Sequence, residues 1–467
     1  MRLVSLVLLL SVQLASAETL TLEQYLEQVK SHNPDARAAI ENIASMQSRL
    51  NEADIPITPE GYAGYFLSDD KKPTSVPFFM GTETRIEQLR LGVRDQTDFG
   101  LGANLFFQQQ RTDIVNVLPL YLPVANYMET NLNLQLTQSL WRNGFGESTR
   151  AQVEVNKANA DASLLQYKFQ LKNILLNAQN AYWAVVSLNQ IVRLQEENVG
   201  RALKLRDYMN NRTKLKLYDD TDFMQAEASY QSRQLELQSS LDDRSVSTRQ
   251  FNTLRGIDSD DTIDLVNLPG EEVMVESKPS GHMTREDFEM LRAQARANAA
   301  QARGAASQLN PQLDMQANVA TNGRDGLANT AFQQAETTQY PTWSVGITFS
   351  VPLDFGLVRD LRRGYKSASA AANDADAQAR FSEVRAWDDL TKQMREAQGR
   401  YARALSVEKI ETDLVKREHR RLLDGRTTTF EALNIEQNLA LAQIQRVRSQ
   451  LTFLQVRNAV KTFEAKQ

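Results

Sequence analysis

The chain has 467 residues, 42% of them hydrophobic, and carries 53 Lys and Arg against 58 Asp and Glu, a formal charge of −5. That mild acidity excludes a polybasic nucleic-acid binder, and the absence of cysteine excludes disulfides, thiol catalysis, cysteine-based metal sites and a lipid carried on an N-terminal Cys. Such a length ordinarily means two or three globular domains, but here the apolar residues fall in narrow periodic stripes.

The chain opens with Arg2, an apolar run over 3–14 and a small-residue exit, Ala15-Ser16-Ala17. This predicts a cleavable export signal over 1–17. A membrane anchor is the competing reading, but a spanning helix needs about 20 apolar residues and this run falls short. No later segment approaches 18 consecutive apolar residues, so any membrane role has to use strands.

A first repeat is expected over 18–255. It begins with LTLEQYLEQVKSHNPDARAA, whose helical period is interrupted at Asn33-Pro34, predicting two helices joined by a tight step. Past Pro56 the period falls to 2, with Leu89, Leu91, Val93, then Leu101, Ala103, Leu105, Phe107, then Leu132, Leu134, Leu136, predicting β-strands within 57–138. A long helix is expected over 145–215, where Leu164, Tyr167, Leu171, Ile174, Ala178, Ala181, Val185, Leu188 and Val192 keep 3,4 spacing. Some 70 helical residues make a rod of roughly 100 Å, too long for a globular core. A turn, KLKLYDDT, leads into a return helix over 221–255, with Thr221 as its expected N-cap.

Residues 256–283 read as a linker with at most one short strand. A second repeat is then expected over 284–467: a helix over 284–308 capped at Thr284, strands within 311–352, a long helix over 357–423 and a return helix over 428–463. Its strands alternate at Leu313, Met315, Ala317, Val319 and at Trp343, Val345, Ile347, Phe349, Val351. Gly425 is expected in the left-handed conformation that ends the long helix, and Thr428 as the next N-cap. The segments 68–84 and 323–339, rich in Gly, Pro, Thr, Asp and Asn, are expected to be exposed loops.

Alternation alone equally fits an ordinary antiparallel sheet over a core. The export signal, the strand lengths and the aromatic residues Trp141, Tyr340, Trp343 and Phe355 near strand ends favour a lipid-facing barrel wall. Open strand edges cannot face lipid, so the chain must oligomerise to close its sheet. The histidines His32, His282 and His419 stand alone, and no catalytic cluster, metal spacing or phosphate loop appears; no enzyme activity, cofactor or metal is expected.

Together LTLEQYLEQVKSHNPDARAA, LTQSLWRNGFG, FSVPLDFG and LLDGRTTTFEALNIEQNLALAQ, in this order and with the strand-to-helix junction duplicated, resemble the TolC family of outer-membrane factors over nearly the whole mature chain. The resemblance implies an α+β membrane protein: a trimeric channel-tunnel in the bacterial outer membrane, with a shared antiparallel β-barrel of about four strands per protomer, twelve in the trimer. Below it stands a long periplasmic α-helical coiled-coil barrel. It implies a passive exit duct of a tripartite efflux pump or type I secretion system, partnered by a periplasmic adaptor protein, an inner-membrane pump and outer-membrane lipid, and by no nucleic acid. A periplasmic coiled-coil adaptor or scaffold without a pore is the alternative. One departure is the additional hairpin pattern over 85–110, which either extends the first hairpin outward or replaces the weak strand near 62–67.

The resemblance also implies site residues. Thr221-Asp222-Phe223 matches the start of the first return helix, where the Asp belongs to the network that closes the tunnel; Gly425-Arg426-Thr427 matches the second turn, which holds a gate arginine. Glu431 and Asn434 fall on two positions that are both acidic in the best-known member of the family. Without the resemblance, Asp222 is an ordinary helix-start acid, Arg426 a solvated turn residue and Glu431 an exposed charge. Lys214, Lys216, Tyr218, Gly425 and Arg426 are the candidates for docking an adaptor.

Overall fold

A computed structural model describes residues 19–463 except 119, 121, 123, 217, 218 and 271–283. The expected export signal, Tyr218 and the second half of the linker lie outside the described residues. The chain divides into two compact units, one formed by 1–44, 165–288 and 381–467 and the other by 45–164 and 289–380.

The second unit is built on one antiparallel sheet in simple up-and-down order: β1 (Glu60–Asp70), β2 (Glu83–Gln96), β3 (Leu101–Val115), β4 (Asn126–Ser139), β5 (Gln312–Asp325) and β6 (Tyr340–Ser350). Among the described residues this sheet has six strands, against the expected contribution of about four per protomer to a barrel. The 85–110 hairpin does not replace the first strand but pairs with it, Ala63 opposite Leu91 and Leu91 opposite Phe107. The row continues through Leu132, Thr321 and Pro341. Because side chains alternate along a strand, one face collects Ala63, Tyr65, Leu91, Val93, Leu105, Leu134, Val319, Val345 and Ile347, and the other Gln88, Arg90, Gln108, Asn133, Gln135, Asn318 and Ser344. The apolar face is open: Trp343 is 75% and Ile347 71% exposed.

The two expected loops are partly structured. Within 68–84, β1 runs to Asp70 and a short α3 (Pro77–Met80) precedes β2. Within 323–339 lies α7 (Ala328–Glu336), folded onto the apolar face, where the Phe332 and Phe107 rings meet edge to face at 6.1 Å. Glycine makes this possible, since a Cβ on Gly323 would stand 1.8 Å from the Ala331 carbonyl oxygen. At the other end of the sheet the β2–β3 turn packs on the strand-to-helix junction, where a Cβ on Gly146 would meet the Asp98 carbonyl oxygen at 1.9 Å. There α4 (Glu147–Lys214) begins, alongside α6 (Glu286–Gln308) and α8 (Phe355–Leu423). Ion pairs Arg303–Glu154, Arg296–Asp161 and Arg292–Asp376 tie these helices together. The buried alanines of α6 (293, 297, 300) give it a flat, close-packing side. Since α6 starts at Glu286, Thr284 precedes its cap position instead of occupying it.

The first unit contains α1 (Leu22–His32), the start of α2 (Pro34–Arg49), α5 (Asp220–Leu254), α9 (Thr429–Lys461) and the remaining parts of α4 and α8. A capping box between Thr21 and Gln24 starts α1. The step at Asn33-Pro34 appears as expected: the Asn33 side chain accepts from the Asp35 and Ala36 amides and donates to the Leu254 carbonyl oxygen over 2.9 Å. The main core gathers Tyr25, Val29, Tyr182, Trp183, Phe251, Phe453 and Leu454. The linker joins it through Leu265, which bridges Leu20 in parallel. For that reason α4 is buried more broadly than the single seam its 3,4 spacing predicts, with Tyr182, Trp183, Val186 and Ser187 inside as well as Val185.

Candidate functional site: the helical turns

The site expected at the two turns is built from the ends of α4 and α8 and the starts of α5 and α9. The second turn closes as a Schellman motif: Gly425 has φ +66°, its amide donates to the Leu422 carbonyl oxygen over 3.1 Å, and the Arg426 amide donates to that of Arg421 over 2.8 Å. Thr428 then caps α9, its hydroxyl accepting from the Glu431 amide over 3.2 Å. Both sequence expectations at this turn hold. In the first turn one fails: Asp219 occupies the N-cap position and Thr221 lies inside the first helical turn. Two aspartates precede Thr221, and the chain enters the helix at the earlier one. Lys216 takes φ +55°, with its amide donating to the Thr213 carbonyl oxygen over 2.9 Å.

The turns are held by a small apolar cluster of Leu205 and Met209 from α4, Ala226 from α5, Leu422 from α8 and Ala432 from α9. Met209 is fully buried, with its sulfur 3.6 Å from the hydroxyl of the equally buried Thr429. Around the cluster run charged links. Arg201 pairs with Glu436 at 3.0 Å and binds Asn198, Arg421 pairs with Glu418 at 3.1 Å, and Arg206 lies 3.8 Å from Glu227. The Arg421 guanidinium also reaches the Arg426 carbonyl oxygen at 3.4 Å. A groove of about 390 Å³ lies beside them, lined by Arg201, Lys204, Lys416, Glu418, His419 and Arg420 among others.

Of the expected site residues, Asp222 and Thr427 are half-buried, while Lys214, Lys216, Thr221, Gly425, Arg426, Glu431 and Asn434 are exposed. Within the described residues no ion pair joins Asp222 to Arg426. Asp222 and Glu431 each sit in the first turn of a helix, where the helix dipole favours a carboxylate. The residues the sequence did not single out are Met209, Thr429, Arg201, Glu436 and Glu418. They come from distant parts of the chain, and no spacing within one segment marks them. Among the described residues no group of His, Asp or Glu could hold a metal ion, and no helix is long and apolar enough to cross a membrane.

No protein-family model matches the chain, and no curated protein matches it. Solved structures do, and they share its fold. The chain has the fold of the TolC-like outer-membrane factors, the class its sequence resembles. It is similar to the outer-membrane channel OprN at 16% identity and TM-score 0.61, with 94% of this chain and 89% of that one aligned. It is similar to the outer membrane protein VceC of Vibrio cholerae at 15% identity and TM-score 0.61, covering 94% and 95%. The open-state MtrE outer membrane channel of Neisseria gonorrhoeae matches at 15% identity and TM-score 0.59, covering 95% and 88%.

Proposed function

We propose that the protein is a passive outer-membrane export duct, a homotrimer whose sheet spans the membrane and whose helices form a periplasmic tunnel leading to an inner-membrane pump. The observation that carries this reading is the apolar face of the sheet, which runs across all six strands and is open except where α7 covers part of β3, β4 and β5, in a chain that also holds two long helical hairpins. Lipid is the partner such a face fits, because an exposed apolar surface of that extent is unfavourable in water. The similarity to outer-membrane channels supports it. A pore-free periplasmic scaffold would have no use for this face.

In this reading the turns form the closable end. Asp222, with Thr221, Arg426 and Thr427, contributes to closure, and three copies of Glu431 with Asn434 ring the narrowest passage, where carboxylates favour cations. Lys214, Lys216, Tyr218 and Gly425 offer the exposed turn surface to a periplasmic adaptor, in an efflux pump or a type I secretion system. Fractionation and planar-bilayer recording test the function: the protein is expected in the outer membrane as a trimer that conducts ions. A soluble periplasmic protein without conductance would refute it. An adaptor pulldown unchanged by Gly425→Trp combined with Tyr218→Ala would remove the docking surface.

A further inference from the structure

We infer that all six strands of each chain stand in the barrel wall, that β6 of one copy joins β1 of the next, and that the trimeric barrel therefore has three times six, or 18, strands. The inference rests on the trimeric-duct reading, and it differs from the twelve strands that the resemblance implies.

The argument comes from where the apolar residues sit along each strand. On β1 the apolar side of the sheet carries Ala63, Tyr65 and Leu67, centred at 65; on β6 it carries Trp343, Val345, Ile347 and Phe349, centred at 346. Following the hydrogen-bonded register from Ala63 through Leu91, Phe107, Leu132 and Thr321 leads to Pro341. The centre on β1 is two residues to one side of that row and the centre on β6 five to the other. The band thus drifts seven residues over the five steps from β1 to β6, about 1.4 per strand. With about 3.3 Å per residue and about 4.8 Å between strands, strands that keep this band level in a membrane tilt by about 44°. That falls at the upper end of the roughly 35–45° of membrane barrels. The extra strands share the drift: Leu91, the apolar centre of β2, lies two residues from the partner of Tyr65 on β1, and Leu105, the centre of β3, lies two residues from the partner of Leu91 in the same sense. A hairpin projecting beyond the membrane would have no reason to follow it.

Both outer edges are free, and both edge strands have 11 residues. An even number of alternating strands makes β6 antiparallel to β1 of the next copy, as closure requires. Continuing the drift by one step sets Ile347 opposite Tyr65 and Val345 opposite Leu67 of a neighbouring copy. Barrel width grows with strand number, so the backbone radius becomes about 19 Å where twelve strands would give about 13 Å.

The chain has no cysteine, so disulfide trapping is free of background. Tyr65→Cys with Ile347→Cys, and separately Leu67→Cys with Val345→Cys, are introduced into the full-length protein in outer membranes and oxidised. The expected result is loss of the monomer band and a reducible ladder that ends at three copies. A ladder ending at two copies overturns the strand number. Disulfides formed instead between Leu105→Cys on β3 and Ile347→Cys overturn the place of the β1–β2 pair in the wall, and absence of any ladder from both β1–β6 pairs overturns the joint itself. None of these outcomes touches the export reading, which falls only if the protein is not in the outer membrane or does not conduct.

Discussion

The Tyr25 hydroxyl donates a hydrogen bond to the Phe251 carbonyl oxygen over 3.1 Å while the two rings stack with centroids 4.1 Å apart, locking α1 onto the end of α5. Burial holds the Tyr25 phenol neutral and raises its pKa well above the ordinary value of 10, with Arg255 opposing. The sign follows from linkage: the folded state binds the proton more tightly, so this contribution is full below about pH 10 and falls as pH rises past it. Thermal melting of the detergent-solubilised protein between pH 8 and 11 is expected to fall more steeply in the native chain than in Tyr25→Phe. Equal slopes would remove Tyr25 as the cause. At neutral pH the variant loses about 1 kcal/mol with its hydrogen bond.

Met209 fills the space between the two turns and touches Thr429. Met209→Ala is expected to cost about 2–5 kcal/mol and to open the turns to trypsin at Lys214, Lys216 and Arg426. Unchanged digestion would mean that the cluster does not hold the turns together.

Asp222→Ala separates a role in closure from an ordinary helix-start carboxylate. If Asp222 helps close the duct, single-channel conductance rises. If it serves only the helix, the change costs about 0.3–1 kcal/mol and conductance equals that of the native chain.

Glu431→Gln keeps the side-chain size and the Thr428 cap but removes three charges from a trimer. Cation preference, read as the reversal potential across a salt gradient, is expected to weaken, and an unaltered reversal potential would dismiss the carboxylate ring.

Two glycines with similar backbone angles are expected to respond differently to alanine. At Gly425, φ +66° with no atom within 4 Å of an added Cβ, the cost is conformational alone, about 1–2 kcal/mol. At Gly146, φ +80°, the same methyl collides with the Asp98 carbonyl oxygen. Gly146→Ala is therefore expected to dislodge the β2–β3 turn and to lower the yield of folded protein in the membrane, while Gly425→Ala leaves it near the native level.

Much of the fold was legible because strand alternation and helical spacing are local. Leu101 to Phe107 and Trp343 to Phe349 announced strands whose apolar side the structure shows open. β1 was hard to read because Tyr62 and Phe66 place aromatic rings on the polar side opposite Tyr65, which blurs the alternation. α7 was unreadable because Ala328–Glu336 carries a single large apolar residue, Phe332, and is held as a helix by packing on Gly323 and on Phe107, the latter far away in sequence. The turn motifs at Gly425 and Thr428 were legible from the residue types that favour them. The Met209–Thr429 contact was not, since it joins residues 220 apart in sequence.

The two free edges of the sheet also constrain how the protein is made. A lone copy placed in lipid would leave a row of amides and carbonyls unpaired on β1 and another on β6, at several kcal/mol for each unpaired group. In water the same copy would present its apolar face and two adhesive strand borders to any other unfolded chain. If the protein is the trimeric duct proposed above, entry into the membrane and association of the copies occur as one event, and the yield of finished ducts depends steeply on how many newly exported chains are present at once.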